Sequence, residues 1–353
     1  MQNETAPFVA AEQESAQTIQ PATADKPILE VHNLKKYFPV ETNFFGKTTR
    51  YLRAVDNVSF TLQRGKTIDI VGESGCGKTT MGRSILKLHD ITDGQIIFDG
   101  EDITKYTRAQ MRPYRKRMQI IFQDPYSSLS PRLNIGEIIG EAVKVHNIVP
   151  ARQHKEYVRE IMQKCGLQSH FYDRYPHEFS GGQRQRICIA RAIALQPELI
   201  ICDEPVSVLD VSIQAQIINL LKDMQKEMNI AYVFISHDLS VVEHISDEIA
   251  VMYLGNMVEK GPKTDIFANP LHPYTQALFS AIPNPDPRVK MHRRILKGDI
   301  PSPSNPPSGC KFHTRCEKCM EICKREVPVS RKVEPEHFVA CHLYNGEKGT
   351  VDE

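Results

Sequence analysis

Apolar positions along the chain recur with two periods, and the switches between them mark out its elements. Residues 28–31 and 54–62 alternate as antiparallel strands do, and 67–71 is a short apolar run of the kind a buried strand shows. Helical spacing follows over 81–88, strands are predicted at 95–98 and 119–122, and helical segments at 135–149 and 153–165 form a lobe of their own. A helix over 183–195 then leads to a strand at 199–202, a helix at 213–228, and strands at 232–235 and 248–253. Strands alternating with helices predict a largely parallel sheet. After about residue 261 the pattern changes, and 282–308 is dense in Pro and Ser, as in an extended linker or an irregular wrap. There is no internal repeat and no heptad pattern, which sets aside solenoids and coiled coils.

Composition narrows this picture. A length of 353 residues with 41% hydrophobic content allows two domains, or one large domain with appendages. Lys and Arg number 44 against 43 for Asp and Glu, so no overall field attracts nucleic acid or anionic lipid, and any anion site must be local. No run approaches the roughly 20 consecutive apolar residues of a membrane-spanning helix, so no span is expected. Residues 1–25 lack a basic start and an apolar core, so they are read as a disordered tail and not as a secretory signal; 346–353 is read as a second tail. Of the nine cysteines, Cys76, Cys165, Cys188 and Cys202 are scattered, while Cys310, Cys316, Cys319, Cys323 and Cys341 crowd together. Without an export signal, such crowding suggests a metal site before disulfides.

The string GESGCGKTT, beginning at Gly72, fits G-x-x-x-x-G-K-[ST] and joins a predicted strand to a predicted helix. Its members Gly72, Glu73, Ser74, Gly75, Cys76, Gly77, Lys78, Thr79 and Thr80 are candidate nucleotide-binding residues on a phosphate-loop NTPase core. Gly75 and Gly77 let the backbone curl so that N–H groups face phosphate oxygens at a helix N-terminus. Lys78 would reach the β- and γ-phosphates, and the Thr79 hydroxyl is placed for Mg²⁺. The apolar strand in LIICDEP ends in two carboxylates, where such sheets hold ligands. Asp203 suits Mg²⁺ and Glu204 suits polarising an attacking water. Cys202 reads as a small buried hydrophobe.

Kinases and GTPases share a phosphate loop, so the discriminating string is FSGGQRQR, beginning at Phe179. Ser180 with Gly181, Gly182 and Gln183 forms a capped helix start whose hydroxyl and backbone donors can hold a second phosphate. FSGGQ resembles the signature of ATP-binding-cassette ATPases, and its place just before Asp203-Glu204-Pro205 repeats that family's order. The resemblance implies that ATP is sandwiched between one chain's phosphate loop and a partner's signature helix. It also implies that Gln123 joins Mg²⁺ and the attacking water to a membrane subunit, that His237 contacts the γ-phosphate, and that Asp210 is the D-loop aspartate. The family's usual DEPTSALD reads DEPVSVLD here, with Val206 and Val208 substituted, a change of packing more than of chemistry. Phe38 is placed like the aromatic that stacks on adenine, with Tyr37 as its rival.

The resemblance covers about 26–262, the expected ATPase domain, with the helical lobe at about 124–190 inside it. QDPYSSLSPR from Gln123 and NPLHPYTQAL from Asn269 resemble the ATP-binding subunits of dipeptide, oligopeptide and nickel importers, and so does the Cys-rich extension over 263–345, expected to be irregular. In that subgroup Gly-Cys-x-Phe-x-x-Arg-Cys, here from Gly309 to Cys316, with Cys323 and Cys341, implies an iron–sulfur cluster. Spacings of five, six and seventeen residues between Cys310, Cys316, Cys323 and Cys341 match neither zinc ribbons nor ferredoxin runs. A [4Fe–4S] cluster, zinc and metal-free thiols all remain open, with Cys319, His313, His337 and His342 as nearby competitors. The expected role is a structural staple.

The expected protein is thus the ATP-hydrolysing subunit of an importer of dipeptides or oligopeptides, peripheral on the cytoplasmic face of the cell (inner) membrane, with ATP and Mg²⁺. Its expected partners are a second ATPase subunit in a heterodimer, two transmembrane permease subunits and an extracytoplasmic solute-binding protein, with no nucleic acid. A homodimer, a nickel cargo and a soluble cassette uncoupled from transport are the alternatives.

Overall fold

The computed structural model describes residues 26–42, 48–281, 294 and 296–346. The tail expected at 1–25, all but residue 346 of the tail expected at 346–353, and the part of the Pro/Ser-rich segment at 282–293 lie outside the described residues. Strands β1 (Leu29–Thr42), β2 (Thr48–Leu62), β4 (Asp93–Phe98) and β5 (Glu101–Asp102) form an antiparallel sheet in the order β2-β1-β4-β5. The other sheet adds β3 (Thr67–Val71), β6 (Met118–Ile121), β7 (Leu199–Asp203), β8 (Ala231–Ser236), β9 (Glu248–Tyr253), β10 (Asn256–Pro262), β11 (Arg331–Glu334) and β12 (His337–Val339). Its order is β11-β12-β10-β9-β3-β8-β7-β6, parallel from β9 to β6 and antiparallel beyond.

The central strands β3, β7 and β8 are buried along their whole length, which is why they read as continuous apolar runs and not as alternating ones. Helices α1 (Lys78–Ile85), α6 (Val211–Met228) and α7 (Leu239–Ile245) cover this sheet. One apolar cluster joins α3 (Ile135–Val145), α4 (His154–Lys164) and α5 (Gly181–Ile193) to α6 and to one face of β7 and β8, with the short α2 (Pro125–Ser128) against α5. Asn134 and Glu137 close a capping box that fixes the start of α3.

Two departures from the sequence pattern have simple causes. Strands β1 and β2 run well beyond 28–31 and 54–62, because their outer halves carry charged and half-exposed side chains without apolar alternation. Helix α1 starts at Lys78 and not at 81, since Gly77, with φ 108°, turns the chain straight into a polar first turn.

The extension also holds more regular structure than its composition suggests. Helices α8 (Lys263–Ala268) and α9 (Pro273–Phe279) follow β10, and β12 pairs with β10, so the Cys-rich region continues the main sheet. Strands of three and four residues are too short to show a period. Their joint is polar. The fully buried Glu259 carboxylate accepts from the Leu271 and His272 backbone N–H groups at 2.7 and 2.8 Å, and from His337 Nε2 at 2.8 Å.

Burial disfavours the His337 imidazolium, but Glu259 and Glu334 outweigh it and raise its pKa above the ordinary value. A raised folded pKa means this stabilisation is complete below about pH 6.5 and is lost as pH rises through the folded value. Thermal unfolding across that range should therefore show a steeper decline with pH in the wild type than in His337→Gln. Parallel declines would remove His337 as the source.

Candidate functional site

Register in the parallel sheet brings four distant segments to one edge. Val71 pairs with Ser236, Asp203 with Ile235, and Ile121 with Cys202. The residues just past these pairs, Gly72, His237, Glu204 and Gln123, therefore meet along the carboxyl ends of the strands, and the Glu204 N–H donates to the Ile235 carbonyl at 3.0 Å.

A cavity of about 710 Å³ opens there, lined by Phe38, Leu52, Ala54, Ser74, Gly75, Gly77, Lys78, Thr79, Thr80, Gln123, Glu204, His237 and Pro303. At Gly77 an added Cβ would lie 2.0 Å from the Ala54 carbonyl oxygen, so only glycine fits. Lys78 is buried, and its ammonium donates to the carbonyls of Gly72 at 2.7 Å and Glu73 at 3.2 Å. Cys76 is buried away from the cavity, and burial raises its thiol pKa, so it serves the loop through its backbone.

The Thr79 hydroxyl donates to Asp203 Oδ1 at 2.6 Å. Burial raises the Asp203 carboxyl pKa, with Thr79 and Arg83, 3.9 Å away, opposing it. A hydroxyl and a carboxylate side by side beside a phosphate loop are hard oxygen donors that fit Mg²⁺. Next along the chain, Glu204 has left-handed backbone, φ 49°. Its Oε2 accepts from Gln123 Nε2 at 2.8 Å and lies 3.0 Å from His237 Nδ1. Such strain is retained where the surroundings over-determine a functional position.

At the far end of the cavity the two rival aromatics separate. The Tyr37 hydroxyl donates to Asp56 at 2.5 Å, whereas Phe38 lines the cavity, with its ring edge to His89. Ser180 and Gln183 close a reciprocal capping box at the start of α5, and Asp210 caps α6 through the Ile213 N–H at 3.0 Å. Ser180, Gly181, Gly182, Gln183 and Asp210 are not among the residues lining this cavity.

All nine cysteines of the chain are free thiols, the five of the extension among them. Burial pushes the Cys310 thiol up to about 12 and the Cys341 thiol to about 11, and thiolates among Cys310, Cys316, Cys323 and Cys341 repel one another. Among the described residues, no three His, Cys, Asp or Glu side chains are grouped around one ion position. The rival histidines are engaged elsewhere, His313 with the Cys310 carbonyl, His337 with Glu259 and His342 with the Glu326 carbonyl. Leu52, Ala54 and Pro303 were not identifiable from the sequence as lining residues. Leu52 lies in the outer half of β2 beyond the predicted strand and Ala54 at its first predicted residue, where nothing marks a ligand, and Pro303 reaches the site through a backbone bond from Arg53 N–H to its carbonyl at 3.3 Å.

The ABC transporter family model matches residues 55–207, and the model for the oligopeptide/dipeptide transporter C-terminal region matches 258–323. The oligopeptide transport ATP-binding protein AppF of Bacillus subtilis is 53% identical over 92% of this chain and 99% of its own length. The dipeptide transport ATP-binding protein DppF of Haemophilus influenzae is 48% identical over 89% of this chain and 96% of its own. Among solved structures, cbiO1 of Clostridium perfringens, part of an ABC transporter complex, matches with a TM-score of 0.60 and 28% identity, over 69% of this chain and 92% of that one. No helix among the described residues is long and apolar enough to cross a membrane. The chain therefore belongs to the ATP-binding subunits of ABC transporters, among those that carry the oligopeptide/dipeptide transporter C-terminal region.

Proposed function

We propose that this chain hydrolyses ATP to power import of dipeptides or oligopeptides, acting from the cytoplasmic face of the cell membrane. The observation that carries the chemical part is the convergence of Gln123 and His237 on one Glu204 oxygen at the mouth of the phosphate-loop cavity. The peptide cargo rests on the matched C-terminal region and on the peptide-transport relatives. The ATPase domain is assigned to 26–262, with its helical lobe at about 124–190, and the extension to 263–345.

Each side chain then has a task that its chemistry suits. Phe38 offers a ring face to the base, and the amides of the loop from Gly72 to Thr80 face the phosphates with Lys78. Thr79 and Asp203 would hold Mg²⁺, with the Gln123 amide oxygen nearby, and the ion would neutralise charge developing on the phosphoryl group. Glu204 orients and polarises the attacking water, while Gln123 and His237 hold its carboxylate, and His237 stands exposed toward the γ-phosphate position. The Lys78 ammonium, bonded to loop carbonyls here, exchanges them for phosphate oxygens when nucleotide enters.

A single chain leaves this site open on one side. The capped helix start at Ser180 does not line its own chain's cavity, and beside Asp210 the apolar Val208 and Val211 are 62% and 81% exposed. A second cassette that brings its own Ser180-like helix start would close the nucleotide and cover these residues. A heterodimeric ATPase pair attached to two permease subunits and fed by a solute-binding protein completes the proposed assembly. Nucleic acid has no part in it, given the balanced charge.

The proposal for the extension is a [4Fe–4S] cluster held by Cys310, Cys316, Cys323 and Cys341. What supports this reading is the shared segment: repulsion from neighbouring thiolates adds to burial in raising the Cys310, Cys316 and Cys341 thiols, with Cys319 also acting on Cys316. With Zn–S near 2.3 Å, a lone zinc would need its thiolates within about 4 Å of each other, whereas a cluster of several irons spans a wider set.

Two outcomes are expected. Glu204→Gln should bind ATP yet lower turnover of the assembled complex roughly 100- to 10,000-fold, because the water-polarising carboxylate is gone; steady-state hydrolysis at the wild-type rate would reject that role. Cys316→Ser should lose bound metal and lower the unfolding temperature. Elemental analysis of anaerobically purified wild type that finds neither iron nor zinc would remove the premise.

A further inference from the structure

The phosphate loop contains an acid that its task does not call for. A loop that binds a triphosphate works through backbone N–H groups and Lys78, so a carboxylate at Glu73 is electrostatically adverse to the ligand. In the structure that charge is not left free. Arg315 grips it from the Cys-rich extension with two bonds, Nη1 to Oε2 at 2.8 Å and Nη2 to Oε1 at 3.1 Å. The Arg315 side chain is only 7% exposed and lies over the Tyr253 ring, so the fork is held in place from behind.

The same residue is tied at two further points. The Glu73 N–H donates to the Tyr274 hydroxyl at 2.9 Å, and the Glu73 carbonyl accepts from the Lys78 ammonium at 3.2 Å. Tyr274 lies on α9 and packs with Phe312 and Tyr253 in one aromatic group. Two of the three ties therefore come from the extension, and the third reaches the lysine that would meet the phosphates. Glu73 is not among the residues lining the cavity.

We infer that Arg315 is a positioning residue for nucleotide binding, which neutralises Glu73 and holds it aside so that the phosphate loop presents positive potential to ATP. The C-terminal extension is in this way a working part of the nucleotide site. Arg315 immediately precedes Cys316, so the order of the Cys-rich region is transmitted to the loop through one side chain. This rests on the reading of the loop as an ATP site. Without the guanidinium, Glu73 carries an unpaired charge beside the triphosphate; with both charges removed, the repulsion is gone.

The test is ATP hydrolysis by the assembled transporter. Arg315→Ala should raise KM for ATP about tenfold with kcat at saturating ATP little changed, the signature of lost binding and not of lost chemistry. Adding Glu73→Gln to it should restore KM to within about threefold of wild type, which a merely structural arginine would not do. An unchanged KM in Arg315→Ala, or a double variant no better than the single one, overturns the inference. Should Arg315→Ala not fold, Arg315→Gln carries the same comparison. Wild-type complex that hydrolyses no ATP would instead fail the proposed function, so the two failures are distinguishable.

Discussion

The candidate site depends on strand register in the parallel sheet. Because β3, β8, β7 and β6 lie side by side and end together, residues up to 165 positions apart in sequence, Gly72 and His237 among them, reach one edge. A slip of one residue in β7 would turn Asp203 and Glu204 to opposite faces and separate the Thr79–Asp203 pair from the Gln123–Glu204–His237 group. Close packing on both buried faces of β3, β7 and β8 is what such a slip would have to break, and it would draw the Asp203 or Glu204 carboxylate toward the core. The apolar core thus sets the geometry of a polar site, and the left-handed backbone at Glu204 is the local strain that follows from presenting two acids in succession at one strand end.

Much of this was legible before the structure, for a physical reason. The phosphate loop, the strand ending in Asp203-Glu204 and the helix start at Ser180 are local motifs, in which neighbouring residues act together and spacing carries meaning. The helix and strand order of the core was readable for the same reason, since buried strands and amphipathic helices have periods. What escaped was set by distant contact. The sequence favours Phe38 over Tyr37 only through the resemblance, and the physical reason that separates them is Asp56, which takes the Tyr37 hydroxyl. Pro303 at the cavity wall and Arg315 on Glu73 come from a segment without periodicity, 242 residues from the loop in the second case.

The extension is correspondingly more than an appendage. It prolongs the main sheet through β12, buries an ionic joint at Glu259 and His337, reaches the nucleotide cavity through Pro303, and holds Glu73 of the phosphate loop through Tyr274 and Arg315. The region combines apolar packing around Ile266, Tyr274, Phe312 and Val339 with polar ties at Glu259–His337 and Glu73–Arg315.

One chain holds the phosphate loop, the two acids and the histidine in a single cavity but keeps its own capped helix start elsewhere, so the account requires that nucleotide be completed by a neighbour. The direct measurement is a structure of the assembled complex trapped with ATP. The account predicts the signature helix start of the neighbouring cassette within hydrogen-bond reach of the γ-phosphate that Lys78 holds. A nucleotide bound by Lys78 with no residue of a second cassette near its terminal phosphate would contradict it.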